Sequence, residues 1–297
     1  MNEIKVLSRE SFLAKIQTKL AVQKIRSIYK GKINIKYSSS IGDKDNSSKA
    51  WEKHGFGIFT NSLTEELLLK NTNIVVHSFK DLPVKSSKKT SFVCLERDDP
   101  RDIVLIKNSS LKKKKLVLAT SSPRRRYYLR LLKDYLPYKS FKAATIRGNI
   151  QTRLKNILES GKHDGVFMAK AAIDRVFKYG EKVDQKEFKR FKYLFNEFEK
   201  IILPISEFPS AAAQGCIALE YRNDDIKTQR ILKKINHVAS LNDCFLERKY
   251  LAKWGGGCSL DIGVTIEELH NKKILIAKGK DTFTKKYFHE KKYISDV

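Results

Sequence analysis

Short apolar runs alternate with longer amphipathic stretches along most of this chain. The run from Ile4 to Leu7 precedes a segment where Leu13, Ile16, Leu20 and Ile25 recur at three- and four-residue spacing, which predicts a helix with one apolar face. Ile33 to Tyr37 is a second strand. A polar turn from Ser38 to Lys53 leads to Gly55-Phe56-Gly57 and a helix through Leu63, Leu67 and Leu68. Further strands are expected at Ile74 to Val76, Phe92 to Leu95, Ile103 to Ile106, Leu116 to Ala119, Ser140 to Ala144 and Gly165 to Met168. A helix follows each of the last three. Strands alternating with helices predict an α/β protein with substantially parallel sheets.

Between Phe177 and Lys200 the pattern degrades into a stretch rich in Lys, Glu and Phe, read either as an amphipathic helix or as an extended surface excursion. After Ile217 to Glu220 the order becomes helix (Thr228 to Ile235, then Asp243 to Lys253), glycine loop, and strands at Ile262 to Ile266 and Lys273 to Lys278. That is an α+β module distinct from what precedes it.

Length changes the picture first: 297 residues are enough for two or three domains, each with its own core. Hydrophobic content of 41% with 31% charged residues fits a soluble globular protein. The formal charge of +27, from 60 basic and 33 acidic residues, calls for an anionic partner or reflects a biased genome. Lysine is spread through nearly every segment, as scattered solvated surface is, with blocks such as Lys112 to Lys115. The N-terminus lacks the apolar core of a secretory signal, and no run approaches the roughly 20 apolar residues of a membrane span. Cys94, Cys216, Cys244 and Cys258 have neither C-x-x-C spacing nor a nearby His pair, so a reducing compartment with no zinc site or disulfide framework is expected.

Candidate chemistry collects where strands end. Arg9 and Ser11 follow the first strand, Ser78, Lys80 and Asp81 follow Ile74 to Val76, and Ser121, Ser122, Arg124 and Arg125 follow Leu116 to Ala119. Arg147 follows the strand ending near Ala144. Ligands of open α/β sheets sit beyond the carboxyl ends of strands, so these groups are expected to converge on one crevice. Ser122 before Pro123 suits a helix N-cap and first turn, which leaves free N–H groups facing the strand end, and Arg124 and Arg125 add guanidinium groups able to grip a carboxylate or phosphate. Arg147-Gly148-Asn149, with Arg153 in the next helix, repeats the device. A solvated helix-end charge is the bland reading of each arginine alone.

In His77-Ser78-Phe79-Lys80-Asp81-Leu82-Pro83 the proline forces extended backbone after a buried strand, which suits a fixed carboxylate facing a cleft. A surface Lys80–Asp81 ion pair of little worth is the bland alternative, and His77 reads as a packed core histidine. Gly255-Gly256-Gly257-Cys258 presents a thiol with little steric cover, able to carry a covalent adduct, although a lone Cys is usually a small buried apolar residue.

These motifs, with Arg147-Gly148-Asn149-Ile150-Gln151-Thr152-Arg153-Leu154, Gln214-Gly215 and Glu247-Arg248, stand in one order from Arg9 to about Val264 and resemble porphobilinogen deaminase, also called hydroxymethylbilane synthase. The resemblance implies two periplasmic-binding-protein-like lobes with a cleft between them, plus a small α+β C-terminal domain. The expected division is 1–97 with 200–219, 98–199, and 220–297. It implies a transferase of porphyrin and haem biosynthesis that condenses four porphobilinogen molecules head to tail with loss of ammonia, on a dipyrromethane cofactor held by a thioether at Cys258. Water then releases the linear tetrapyrrole.

The implied catalytic residues are Asp81 and Lys80, with Asp81 steadying cationic pyrroles. Lys80, Asp81, Ser122, Arg124, Arg125, Arg147 and Gly148 are expected on the cofactor, and Arg9, Ser11, Ser78, Arg147, Arg153 and Arg175 on the substrate, whose pyrroles each carry an acetate and a propionate. The resemblance favours a monomer, and the residues lead to the expectation of a cytoplasmic protein, or an organellar one after removal of a transit peptide, without metal, nucleic-acid or membrane partners. The chain departs from the family pattern at Gly55-Phe56-Gly57-Ile58-Phe59 and Asn61, at Phe12, Pro123, Ala172 and Cys216, in the longer Phe177 to Lys200 stretch, and in an early end without a final helix. A non-catalytic polyanion-binding relative would keep the arginines without needing Cys258 or Asp81. A nucleic-acid-binding protein would account for the charge but should show a basic face with stacking aromatics.

Overall fold

The computed structural model describes residues 3–38, 60–84, 87–256 and 260–294. Cys258, the Gly55-Phe56-Gly57-Ile58-Phe59 segment and the expected polar turn beyond Ser38 lie outside the described residues.

The first sheet has the order β2-β1-β3-β10-β4, formed by β1 (Glu3–Arg9), β2 (Lys32–Ser38), β3 (Ile74–Ser78), β4 (Thr90–Cys94) and β10 (Ile217–Arg222). The second has the order β7-β6-β8-β5-β9, formed by β5 (Asp102–Lys107), β6 (Lys115–Ala119), β7 (Ser140–Ala144), β8 (Gly165–Ala169) and β9 (Phe198–Ile202). Runs such as Ile74 to Val76 and Ile103 to Ile106 are buried along their whole length, as strands covered on both faces must be.

The sheets are mixed rather than substantially parallel. β1 pairs in parallel with β2 and β3, and β6 with β7 and β8, but β10 runs antiparallel to β3 and β4, and β5 antiparallel to β8 and β9. The reversed strand in each sheet is the first one entered after a crossing from the other sheet. Apolar runs report burial and carry no information on direction. β9 keeps the chain in the second sheet through Ile202, and β10 keeps it in the first through Arg222.

Helix α1 (Phe12–Arg26) corrects the one-face expectation. Phe12 and Ile16 pack with Ile103, Leu105 and Ile173 of the second lobe, whereas Ala21, Val22 and Ile25 pack with Ile4, Val6 and Ile74 of the first. The helix is wedged between two cores and is therefore buried on more than one side. Its buried polar groups find local partners: Thr18 Oγ1 donates to the Ala14 carbonyl at 2.8 Å, and Gln17 Nε2 donates to Ser78 Oγ at 2.9 Å.

Helices α2 (Asn61–Leu68), α3 (Pro123–Leu132), α4 (Ile150–Glu159) and α5 (Lys170–Val183) occupy expected positions. The ambiguous stretch is helical: α6 (Gln185–Asn196) starts at Asp184, whose carboxylate accepts the Glu187 N–H at 3.0 Å. Phe191 and Phe195 are buried in the core of the second lobe, and the more exposed Phe177 packs on them at ring distances of 5.3 and 5.1 Å.

The C-terminal unit contains α7 (Ile226–Lys233), α8 (Val238–Leu251) and an antiparallel sheet of β11 (Gly263–Leu269), β12 (Lys272–Lys280) and β13 (Tyr287–Ile294). β13 is an addition to the expected strands. Its mostly exposed side chains gave no apolar run to find, and Phe288 stacks on Trp254 at 4.7 Å.

Candidate active site

The turn after β3 is built around Phe79. Its side chain is fully buried, 5.6 Å from the Phe92 ring and 5.7 Å from that of Phe245, and the backbone makes one 3-10 turn from Phe79 to Asp81. Leu82 is extended (φ −74°, ψ 142°), as the residue before a proline must be. With Phe79 and Leu82 anchored in the core, the half-buried Lys80 and Asp81 are left to face the second lobe.

Lys80 Nζ donates to Gln214 Oε1 at 2.9 Å. The Gln214 amide nitrogen donates to Asp102 Oδ1 at 2.9 Å and to the Pro100 carbonyl at 2.7 Å, which fixes its orientation. Asp102, with no exposed surface, accepts Arg124 Nη1 on Oδ2 and Arg125 Nη2 on Oδ1, each at 2.7 Å. Burial alone would raise the Asp102 carboxyl, but Arg124 and Arg125 outweigh it and hold it well below the usual carboxylate range. A continuous chain of hydrogen bonds thus runs from Lys80 in the first lobe to both arginines in the second. This contact goes beyond the local ion pair considered for Lys80 and Asp81.

Both helix-end devices form as expected. Ser122 caps α3 by accepting the Arg125 N–H at 3.5 Å, with Pro123 in the first turn. Asn149 caps α4, accepting the Thr152 N–H at 2.9 Å. Gly148 has φ +100°, a left-handed conformation that glycine adopts at least cost, and its carbonyl accepts Arg153 Nε at 2.8 Å. Arg124 also donates to the Pro209 carbonyl and lies 5.3 Å over the Tyr128 ring, so its fork is engaged within the protein. Arg125 donates to the Phe167 carbonyl at 3.3 Å, while its buried Nε has no partner.

The electrostatics show what converges. Burial, and next the neighbouring Arg125, lower Lys80 to about 8, against the opposing pull of Asp81 and Asp102. Burial, then Arg125 and Arg147, with a smaller push from Arg9, lower Arg153 to about 10, while Asp81 acts the other way. Arg9, Lys80 and Asp81 of the first lobe therefore share one field with Arg125, Arg147 and Arg153 of the second. Cations crowded at low dielectric repel one another, and an anionic occupant relieves that repulsion. The partnerless Arg125 Nε and this cationic excess fit a ligand carrying carboxylates. Asp81 provides a carboxylate among these cations, able to face a positive charge that develops in the ligand.

Other expected residues have structural partners. Ser11 caps α1, accepting the Ala14 N–H at 3.4 Å, and Ser78 bonds Gln17. Arg175 binds Asp98 at 2.7 Å and the Gly215 carbonyl, tying α5 to both crossing segments. Despite Ala172, α5 runs unbroken from Lys170. His77 is a core histidine as expected, 2.9 Å from Glu220. Cys216 lies buried with its Sγ 3.1 Å from that of Cys244, in a packed cluster that includes Cys94. A cavity of about 250 Å³ near Leu68, Leu82 and Phe92 is walled mainly by apolar surface and includes none of the clustered cations.

Gly255 and Gly256 have φ of +92° and +66°, and a Cβ on Gly256 would lie 3.2 Å from Val84. The segment leading to Cys258 thus passes beside the end of the Lys80–Asp81 turn. Sequence reasoning missed Asp102 altogether and gave Gln214 no role. Both precede or begin reversed strands, and so lie outside a search of carboxyl ends.

A family model described as "Porphobilinogen deaminase, dipyromethane cofactor binding domain" matches residues 4–230. A probable porphobilinogen deaminase of Picrophilus torridus is 35% identical over 264 residues, covering 88% of this chain and 84% of that protein. The porphobilinogen deaminase of Parasynechococcus marenigrum is 30% identical over 281 residues, covering 93% and 82%. Among solved structures, the periplasmic aliphatic sulphonate binding protein SsuA from Escherichia coli overlays 85% of this chain and 70% of its own at 11% identity and a TM-score of 0.42. The architecture is α/β, with two lobes each built on a mixed five-stranded sheet and a small C-terminal α+β unit on a three-stranded sheet. Because the match runs through both lobes and includes the turn, the capped arginines and Gln214, this chain belongs to the porphobilinogen deaminase family.

Proposed function

We propose that this protein catalyses the porphobilinogen deaminase reaction, joining four porphobilinogen molecules head to tail with loss of ammonia and releasing hydroxymethylbilane by hydrolysis. The observation that carries this reading is the hydrogen-bonded chain from Lys80, beside Asp81, through Gln214 and Asp102 to Arg124 and Arg125, in a chain whose family match runs through both lobes. Each substrate pyrrole brings an acetate and a propionate, and Arg9, Arg125, Arg147 and Arg153 hold these carboxylates by charge-assisted hydrogen bonds. Arg124 sets Arg125 through Asp102. Gly148 and Ser122 shape the two helix ends, while Ser11, Ser78 and Arg175 fix the flanking backbone.

Asp81 holds the pyrrole N–H and stabilises positive charge on that ring as the C–N bond to ammonia breaks. It also accepts and returns the proton displaced when the new C–C bond forms. Lys80 adds positive charge beside the carboxylates. Dipyrromethane, attached at Cys258, supplies a tethered primer for the growing chain; Lys80, Asp81, Ser122, Arg125, Arg147 and Gly148 are the residues that would hold it, with Arg124 behind Arg125.

Among the described residues no helix is long and apolar enough to cross a membrane. The buried free thiols of Cys94, Cys216 and Cys244 suit a reducing, cytoplasmic setting, and we read the protein as a monomer. Intact mass of the denatured protein beside a Cys258→Ser variant tests the function. The expected result is an increment of two pyrrole units, absent in the variant. An unmodified mass that persists after incubation with porphobilinogen sinks the reading.

A further inference from the structure

Helix α8 (Val238–Leu251) of the C-terminal unit reaches the turn from behind. Arg248 is 4% exposed, and its guanidinium donates to the main-chain carbonyls of Phe79 at 3.4 Å, Leu82 at 3.1 Å and Pro83. It also lies 5.0 Å from the centre of the Phe79 ring, whose other contacts include Phe245, one turn earlier on α8. These carbonyls flank Lys80 and Asp81 on both sides. A planar fork reaches them from two nitrogens held in one plane, whereas a lysine offers a single nitrogen on a flexible stem.

The preceding residue of α8 holds the other half of the arrangement. Glu247 accepts both terminal nitrogens of Arg97 at 2.6 and 3.1 Å, the Ala213 N–H at 2.7 Å and the Ile266 N–H at 2.6 Å. Ala213 adjoins Gln214, the hydrogen-bond partner of Lys80. Beyond Leu251, a 3-10 turn (Ala252–Trp254) leads to Gly255 and Gly256. One helix therefore grips the turn, grips the residue beside Gln214, and carries the segment that leads to Cys258.

We propose that Arg248 is a positioning residue of the active site, fixing the Lys80–Asp81 turn from the C-terminal unit so that Asp81 and the Gly255–Gly256 end of that unit share one support. This rests on the function proposed above. A displacement of about 1 Å at a reacting group costs on the order of 100-fold in rate, so loosening the turn should act on turnover more than on affinity.

The test compares wild type, Arg248→Lys, Arg248→Gln and Phe245→Leu by steady-state kinetics with porphobilinogen across pH, intact mass and thermal melting. For Arg248→Lys the proposal expects the full mass increment, KM within about 2-fold of wild type and kcat lower by about 10–100-fold. The alkaline limb of its pH profile should move to higher pH, as water reaches Lys80 and relieves its desolvation. Phe245 is 41% exposed, so Phe245→Leu leaves the fold intact and should show a smaller fall of kcat in the same direction.

Unchanged kcat and pH profile in the folded variants overturns the proposal, as does a loss of activity that only follows the folded fraction. If the Arg248 variants do not fold, Phe245→Leu decides by the same criteria. An inactive wild type would sink the functional reading instead, and hydrogen exchange at the amides of residues 79–82 then decides: exchange about 10-fold faster in Arg248→Lys, or in Phe245→Leu if that variant alone folds, supports the positioning role, and unchanged exchange overturns it.

Discussion

Asp102→Asn tests the hydrogen-bonded chain that joins the lobes. The wild-type carboxylate has no exposed surface and pairs with two arginines that are themselves only 4% and 7% exposed, offsetting one of their two charges. Asparagine matches its volume but not its charge. If its oxygen stays with Arg125 and Gln214, its amide nitrogen is turned towards Arg124 Nη1, donor against donor, where wild type has a 2.7 Å ion pair. Removing one partner of a buried ion pair costs about 3–5 kcal/mol, because a charge remains without compensation. At about 2–3 °C per kcal/mol for a chain of this size, the main unfolding transition should fall by about 6–15 °C. Differential scanning calorimetry or thermal circular dichroism reads this directly. Arg124→Met on top of Asp102→Asn removes one uncompensated cation, so the double variant should be more stable than the sum of the single losses implies. A loss under about 1 kcal/mol, or strict additivity, would refute the argument that Asp102 offsets charge on the pair.

Lys80, lowered to about 8, loses its charge as pH rises through that value in the free protein. The ratio kcat/KM should fall above about pH 8, and Lys80→Arg should move that limb upward by at least about one unit; a profile flat to about pH 9.5 would contradict this role. For stability the sign is opposite. Between about 8 and the ordinary 10.5 the unfolded chain holds more protons on this lysine, so its contribution to the stability of the free protein rises with pH in that window. Gly215→Ala is expected to lose at least about 2 kcal/mol in denaturant unfolding, since left-handed backbone strains an L-residue. Gly215 has φ +93°, and the new Cβ would stand 2.3 Å from the Asp98 carbonyl oxygen, on a segment held by the Asp98 N–H to Gly215 carbonyl bond at 3.1 Å. A wild-type unfolding midpoint would show that the crossing segments can yield.

Much of this molecule was legible in its sequence, for local reasons. Ile74 to Val76 and Ile103 to Ile106 are apolar enough to specify buried strands, Ser122-Pro123 and Asn149 specify helix starts, and Pro83 specifies the extended residue that ends the Lys80–Asp81 turn. The alternation of polar groups with strand ends also marked out Lys80, Asp81 and Arg125, because a residue just past a buried strand has few places to go but the crevice, while Arg147 and Arg153 were marked by the Asn149 cap of the next helix.

Tertiary structure decided strand direction, and with it the rest of the site. An apolar run has the same composition whichever way it points, so nothing local distinguishes β5 and β10 from their parallel neighbours. Their reversal brings the start of β5 at Asp102 and the approach to β10 at Gln214 to the edge where the other strands finish. There Asp102 pairs with both arginines and Gln214 meets Lys80. The double burial of α1, the core that takes in Phe191, Phe195 and Phe198, and the grip of Arg248 on the turn have the same origin. They depend on contacts between segments far apart in the chain, whereas periodicity, caps and turn residues report only on their own neighbourhood.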